Sequence, residues 1–334
     1  MSQLTCRVCR SPLLGDETLV TCSRGCERIE RVGGVWRALP AGERERLSRF
    51  LHEYSTVRRA EGRRFDARAY GSLPYGVKGE RAAEWWIRAK SYEAFVRELV
   101  EPLRRALGRP LRIIDLGAGN GWLSNRLSSF DLPVSVDVSV DEEDGLGAPL
   151  SFERAGQAGS PFTAIPFERL LRIPRVEASA DELPFADDAF DLAVFNASFH
   201  YSESYERTLK EALRVAPEVV VMDTPVYRDG RSGARMVLER ETEFTRLHGF
   251  PSNAITGEGY LTFDRIRSLA RDLTVVAERI RPVYDLRFTS RPLTARLAIG
   301  REPARFFVLC FRRPAGHRSA RATGLENRFV ERLA

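Results

Sequence analysis

From about residue 80 onward, short apolar runs alternate with stretches whose apolar residues recur at helical spacing. That alternation predicts an α/β protein built on a largely parallel sheet. The runs at 111–114, 191–195, 219–222 and 306–311 are nearly continuous, as strands covered on both faces require. Residues 133–138 and the pair Val275 and Val276 read as further strands. The interval 80–107 carries Trp85, Trp86, Tyr92, Phe95, Val96, Leu99 and Leu103 at helical spacing, with Pro102 predicting a break or kink. Residues 205–215 and 261–273 also read as helices. Before residue 80 the pattern thins. Residues 43–70 are dense in charge, with Leu47, Phe50, Leu51, Tyr54 and Phe65 sparse among them, and predict helix and exposed connector with a solvated charged face. Residues 71–79 predict loop.

Length and composition bound this picture without redirecting it. At 334 residues the chain has room for one large core and an accessory unit. Neither the first residues nor any later apolar run has the length of a secretory or membrane-spanning segment, so the cytoplasm is the expected compartment and no membrane partner is expected. The net charge of +6 hides an uneven distribution: +8 over residues 1–110, −11 over 111–225 and +9 over 226–334. Basic ends around an acidic centre would steer a polyanion such as RNA. Arginine outnumbers lysine 49 to 3, however, a skew that genome composition also produces.

Four of the five cysteines fall in the first 26 residues, as Cys6-x-x-Cys9 and Cys22-x-x-x-Cys26. Two thiolate pairs joined by a short hairpin suit a tetrahedral zinc ion, because each tight turn aims two sulfurs at one point. Four sulfurs leave no open coordination position, so the expected metal is structural. Cys310, in a late apolar strand, reads as core. With the return strand Val32-Gly33-Gly34-Val35-Trp36, this segment resembles the small zinc-ribbon family that activates methyltransferases. A related knuckle precedes the catalytic domain of bacterial rRNA guanine-N1 methyltransferases, with histidine usual where Cys26 stands.

The candidate chemistry centres on Ile113-Ile114-Asp115-Leu116-Gly117-Ala118-Gly119-Asn120-Gly121. A strand ends in a carboxylate and turns through three glycines into a helix carrying Trp122, Leu123 and Leu127. Glycine allows the sharp turn and lets a ligand approach the backbone. The third glycine comes one position too early for the dinucleotide fingerprint. Asp137 ends the next strand, placed to accept both ribose hydroxyls of a nucleoside. The glycine stretch resembles motif I of class I S-adenosylmethionine (SAM) methyltransferases. The run Ala178-Ser179-Ala180-Asp181-Glu182-Leu183-Pro184-Phe185, followed by Phe190-Asp191, resembles the type-11 methyltransferase family. Ser179 stands where that family has an acidic or amide residue.

The resemblance implies a seven-stranded, mostly parallel Rossmann-like sheet in the order 3-2-1-4-5-7-6, with a small zinc ribbon at its N-terminus. It implies SAM contacts from Asp115, Gly117, Ala118, Gly119, Gly121, Asp137, Val138, Ser179, Ala180 and Asp181. Asn196 and Ala197 would line the methionine portion, with Lys90 and Tyr92 as further candidates at the methyl-donor end. His200 and Tyr201 leave the fourth strand at its carboxyl end and are the catalytic candidates, His200 as general base or positioner, or else as a helix-capping or packing residue. The expected domains are a ribbon at 1–40, helices at 41–110, and a methyltransferase domain at 111–312 with a lid at about 226–261. A basic tail would follow at 313–334. The expected acceptor is a small molecule. Alternatives are an rRNA base, with RNA held by the ribbon and basic ends, and a SAM-binding scaffold without turnover.

Overall fold

The computed structural model describes residues 4–63, 65–154, 167–285, 288, 300–314 and 330–332. The chain opens with four short strands, β1 (Leu13–Gly15), β2 (Leu19–Cys22), β3 (Arg28–Val32) and β4 (Val35–Arg37). A helix over Ala41–Ala60 and a helical run over 82–107 lead into β5 (Arg112–Leu116). Then come β6 (Leu132–Asp137), β7 (Arg175–Glu177), β8 (Leu192–Asn196) and β9 (Glu218–Met222). A small parallel pair, β10 (Val226–Tyr227) and β11 (Leu261–Thr262), brackets the Gly230–His248 helix, and β12 (Val276–Ile280), β13 (Val308–Arg312) and β14 (Val330–Arg332) complete the strands.

The segment β7-β6-β5-β8-β9-β13-β12 has the expected 3-2-1-4-5-7-6 order, with β13 antiparallel to both neighbours. The expectation of a seven-stranded, mostly parallel sheet with a small zinc ribbon at its N-terminus needs correction. The sheet is mixed and twelve-stranded, in the order β1-β2-β3-β4-β7-β6-β5-β8-β9-β13-β12-β14. Strand β4 pairs in parallel with β7, matching Trp36 to Val176 and Arg37 to Glu177. The physical reason is edge protection: a bare β7 would present unpaired backbone groups, and β4 covers them. Side chains reinforce the join. Glu177, 1% exposed, accepts hydrogen bonds from Arg37 Nε at 2.6 Å and Arg44 Nη2 at 2.9 Å. Ile29, Leu13 and Trp36 of the ribbon share one apolar cluster with Leu183, Phe185 and Phe190.

Two further expectations change. Residues 41–60 form one 20-residue helix whose apolar positions face inward rather than a connector. Residues 67–72, partly assigned to loop, are helical, capped where Asp66 Oδ1 accepts from Ala69 N at 2.7 Å. Pro102 marks a real disturbance: a π-helical turn over Val96–Val100 immediately precedes the helix that contains it. That wider turn is a known way to accommodate a missing N–H within a continuing helical run. Cys310 is buried in β13. Of the expected basic tail, residues 315–329 and 333–334 lie outside the described residues, and 330–332 pair with β12. Among the described residues, no helix is long and apolar enough to cross a membrane.

Candidate active site

Parallel strands β5, β6, β7 and β8 end on one edge of the sheet, where open α/β sheets hold their ligands. The first loop at that edge is the glycine turn. Gly117 takes φ +69° and donates its N–H to Val136 O at 2.8 Å. A Cβ there would stand 2.3 Å from Ser198 Cβ, so only glycine fits. Ser198 Oγ closes the same corner by donating to Leu116 O at 2.6 Å.

Asp137 ties the turn to the end of β6. Its Oδ2 accepts from Gly119 N at 2.8 Å and its Oδ1 from Ser139 N at 2.8 Å. Each carboxylate oxygen has a further lone pair for a ligand. Burial raises the Asp137 pKa against the pull of these N–H groups. Asp115 lies beneath the turn, 1% exposed, and accepts from Ser124 Oγ at 2.9 Å. Burial pushes its pKa up to about 7. It is a buried support and lines neither cavity described below.

A cavity of about 150 Å³ runs over this turn. Gly117, Gly119, Asp137 and Val138 form one end, and Ser179, Ala180 and Asp181 flank it. Ser179 Oγ accepts from Asp181 N at 3.2 Å, which shapes the second loop. Asp181 is already committed to Arg207, at 2.8 Å from its Nε, and to the Thr208 hydroxyl. Asp144, read from sequence as part of a solvated turn, instead faces the cavity, and burial raises its pKa to about 6.

A second cavity, about 280 Å³, adjoins the first; Tyr54, Ala197 and Tyr201 line both. Ala197 adopts φ +56°, a conformation rare for a residue with a side chain and recurrent at functional sites. His200 lines the second cavity with Nδ1 buried and without a hydrogen-bond partner among the described residues. Burial, and then Arg240, Arg58 and Arg88, lower its pKa to about 3. An imidazole so weakly basic stays neutral at ordinary pH and suits a hydrogen-bonding positioner better than a proton acceptor.

The other sequence candidates line neither of these two cavities. Ala118 packs with Val35 and Leu146, and Gly121, at φ +77°, precedes the Trp122–Leu127 helix. Asn196 ends β8 with its side-chain oxygen buried and unpaired. Lys90 and Tyr92, expected at the methyl-donor end, line neither cavity. Lys90 bonds Glu93 at 2.9 Å, and Tyr92 lies edge-on to Trp122 at 6.2 Å.

Sequence reasoning missed the wall shared by both cavities. Leu47, Phe50 and Leu51 of the Ala41–Ala60 helix line the first, Val57 and Arg58 the second, and Tyr54 both. Phe50, Tyr54 and Tyr201 form a ring cluster with centroids 5.6 to 5.9 Å apart. The spacing Leu47, Phe50, Tyr54, Arg58 is one helical face, a signal hidden by the surrounding charges.

The cysteines converge as the spacing implies. One sulfur from each of Cys6, Cys9, Cys22 and Cys26 lies within 4.8 Å of the others, and Cys9 and Cys22 sulfurs are 3.5 Å apart. Zinc with Zn–S bonds of about 2.3 Å needs sulfurs roughly 3.8 Å apart, which the group meets with small adjustment.

Residues 114–218 match the family described as methyltransferase domain. A malonyl-[acyl-carrier protein] O-methyltransferase of Methylococcus capsulatus is 28% identical over 44% of this chain and 46% of its own length. The enzyme of that name from Halorhodospira halophila is 28% identical over 66% of this chain and 71% of its own. For the first relatives found, from Methylococcus and Geobacter, the chain spans about half the length of the curated protein it matches. Among solved structures, magnesium protoporphyrin IX methyltransferase from Synechocystis with bound SAH has 13% identity and a TM-score of 0.41, covering 72% of this chain and 91% of that one.

Proposed function

We propose that the chain is a SAM-dependent methyltransferase acting on a small-molecule acceptor. The observation that carries this reading is the meeting of two cavities at Tyr54, Ala197 and Tyr201, one over the glycine turn and one beside His200. When bound, SAM supplies an electrophilic methyl group on sulfur. Asp137 would accept the ribose hydroxyls while Gly117 and Gly119 let the ligand lie against backbone. Ala180 offers a backbone N–H beside the adenine, with Ser179 at the acidic position of the motif. The aromatic wall of Phe50, Tyr54 and Tyr201 excludes water from the junction, and neutral His200 positions the acceptor. Transfer then depends on in-line approach more than on a strong base.

Cys6, Cys9, Cys22 and Cys26 would hold a structural zinc that braces the ribbon on the sheet edge. The names of the curated relatives support an acceptor other than nucleic acid. Many arginines of the basic N-terminal region are engaged internally, as Arg37 and Arg44 are on Glu177, which also disfavours an RNA face. The test is incubation with methyl-labelled SAM and a fractionated host extract. Label in the small-molecule fraction is expected. Label in RNA would replace this reading with base methylation, and SAM binding with no labelled product would replace it with a scaffold.

A further inference from the structure

The second cavity combines an apolar lining with an unusual density of guanidinium groups. Val57, Ile87, Phe244 and Phe306 supply the apolar part, and Arg58, Arg63, Arg88 and Arg240 the charge. The first three arginines are partly balanced. Glu61 lies 2.6 Å from Arg63 Nε, 3.1 Å from Arg81 Nη1 and 3.5 Å from Arg58 Nη1. Glu84 lies 2.8 Å from both Arg63 Nη1 and Arg88 Nη2, and 2.5 Å from Arg81 Nη2. Arg240 reaches the cavity from the Gly230–His248 helix, and its Nε is buried without a partner among the described residues. Asp223 is the other carboxylate that lines the cavity among the described residues; it accepts from Ser91 Oγ at 2.6 Å, and its Oδ2 is buried without a partner among those residues.

Among the described residues, five guanidiniums thus surround three carboxylates at and around this cavity. Buried cations beyond the number of their counter-charges are costly unless a ligand completes the set. His200 lines the same cavity as Arg240, Arg58 and Arg88, and after burial these three charges are what disfavour its protonation. Its unpaired Nδ1 adds a neutral polar contact at the same site.

We infer that the methyl acceptor is an organic anion whose carboxylate or phosphate group is held by Arg240 with Arg58 and Arg88, beside His200. Guanidinium forks match both oxyanions, and the apolar lining receives the remainder of the molecule. The Gly230–His248 helix would close the binding site through Arg240. The inference rests on the methyltransferase reading for its claim that the bound anion is the acceptor.

The test uses the full-length protein saturated with S-adenosylhomocysteine and titrated by calorimetry. Benzoate, phenyl phosphate and benzamide share a ring and differ in charge; malonate and malonamide form a second set, so that the fit of a ring does not decide the outcome. In at least one set the anion should bind about tenfold or more tightly than the amide. Arg240→Gln should lower that anion's affinity by a similar factor while leaving S-adenosylhomocysteine affinity within about twofold. Phenyl phosphate binding more tightly than benzoate would identify phosphate as the group, and the reverse order carboxylate. Amides binding as well as anions in both sets, or an Arg240→Gln protein that keeps its anion affinity, would overturn the inference. A protein that binds no S-adenosylhomocysteine would instead overturn the methyltransferase reading, while its anion selectivity is still measured.

Discussion

Asp115 is an acid placed where ionisation is expensive, and Asp115→Asn isolates the effect. The carboxyl is 1% exposed, one oxygen accepts from Ser124, and the other is buried without a partner among the described residues. Burial raises its pKa from 3.8 to about 7, and the nearby Asp137 adds to the shift. A folded-state pKa above the unfolded one means that the native protein holds the proton more tightly. The associated stability is therefore full below about pH 4 and is lost as pH rises through about 7. Taking those two values, the loss between pH 5 and pH 8.5 is about 3 kcal/mol. Asparagine has nearly the same shape, can still bond Ser124, and never ionises. Urea unfolding of both proteins across that range should show the variant gaining on the wild type by about this amount as pH rises. Taking the difference between the two curves suppresses the contributions of Asp144 and Asp223, whose pKa values are also raised by burial. A difference that does not vary with pH would show that the carboxyl is not desolvated as argued.

Asp137→Ala removes the acceptor for Gly119 N and Ser139 N as well as the assigned ribose contact, and should weaken S-adenosylhomocysteine binding by about 1–3 kcal/mol in calorimetry. Unchanged affinity would refute the ribose assignment. Gly117→Ala forces a Cβ against Ser198 at φ +69° and should cost about 2–5 kcal/mol in urea unfolding, with wild-type stability counting against the observed turn. Replacing Cys6 and Cys22 by Ser should abolish one equivalent of bound zinc by metal analysis. Because the Ala41–Ala60 helix follows the ribbon and walls both cavities, it should also weaken S-adenosylhomocysteine binding by roughly fivefold or more. Full affinity in that variant would show that the helix holds its place without the metal.

Much of the site's skeleton was legible because its signals are local. Asp115, the glycines at 117 and 119, Asp137 and the turn at 179–181 lie at strand ends, where short apolar runs and small residues announce themselves. The cysteine pairs were equally legible, since two tight turns dictate which sulfurs meet. Arg58, Arg88 and Arg240 carried no comparable signal. Each is one arginine among many, and only packing distinguishes those facing a cavity from those in water. Lys90 and Tyr92 failed for the complementary reason: helical spacing states which residues share a face, but not what that face meets.

The amino-acid sequence alone determined the alternation of strands and helices, the glycine turn, the carboxylates at the ends of β5 and β6, and the four-cysteine group. These follow from backbone sterics and periodicity over a few residues. Tertiary structure decided that the N-terminal strands continue the sheet through the pairing of β4 with β7, because an unpaired edge finds whatever strand the chain brings to it. It also decided that the charged helix at 41–60 is a cavity wall, and that guanidiniums from positions 58, 88 and 240 converge beside His200. Such convergence is set by long-range packing, in which burial and the field of distant charges act between residues that no sequence spacing relates.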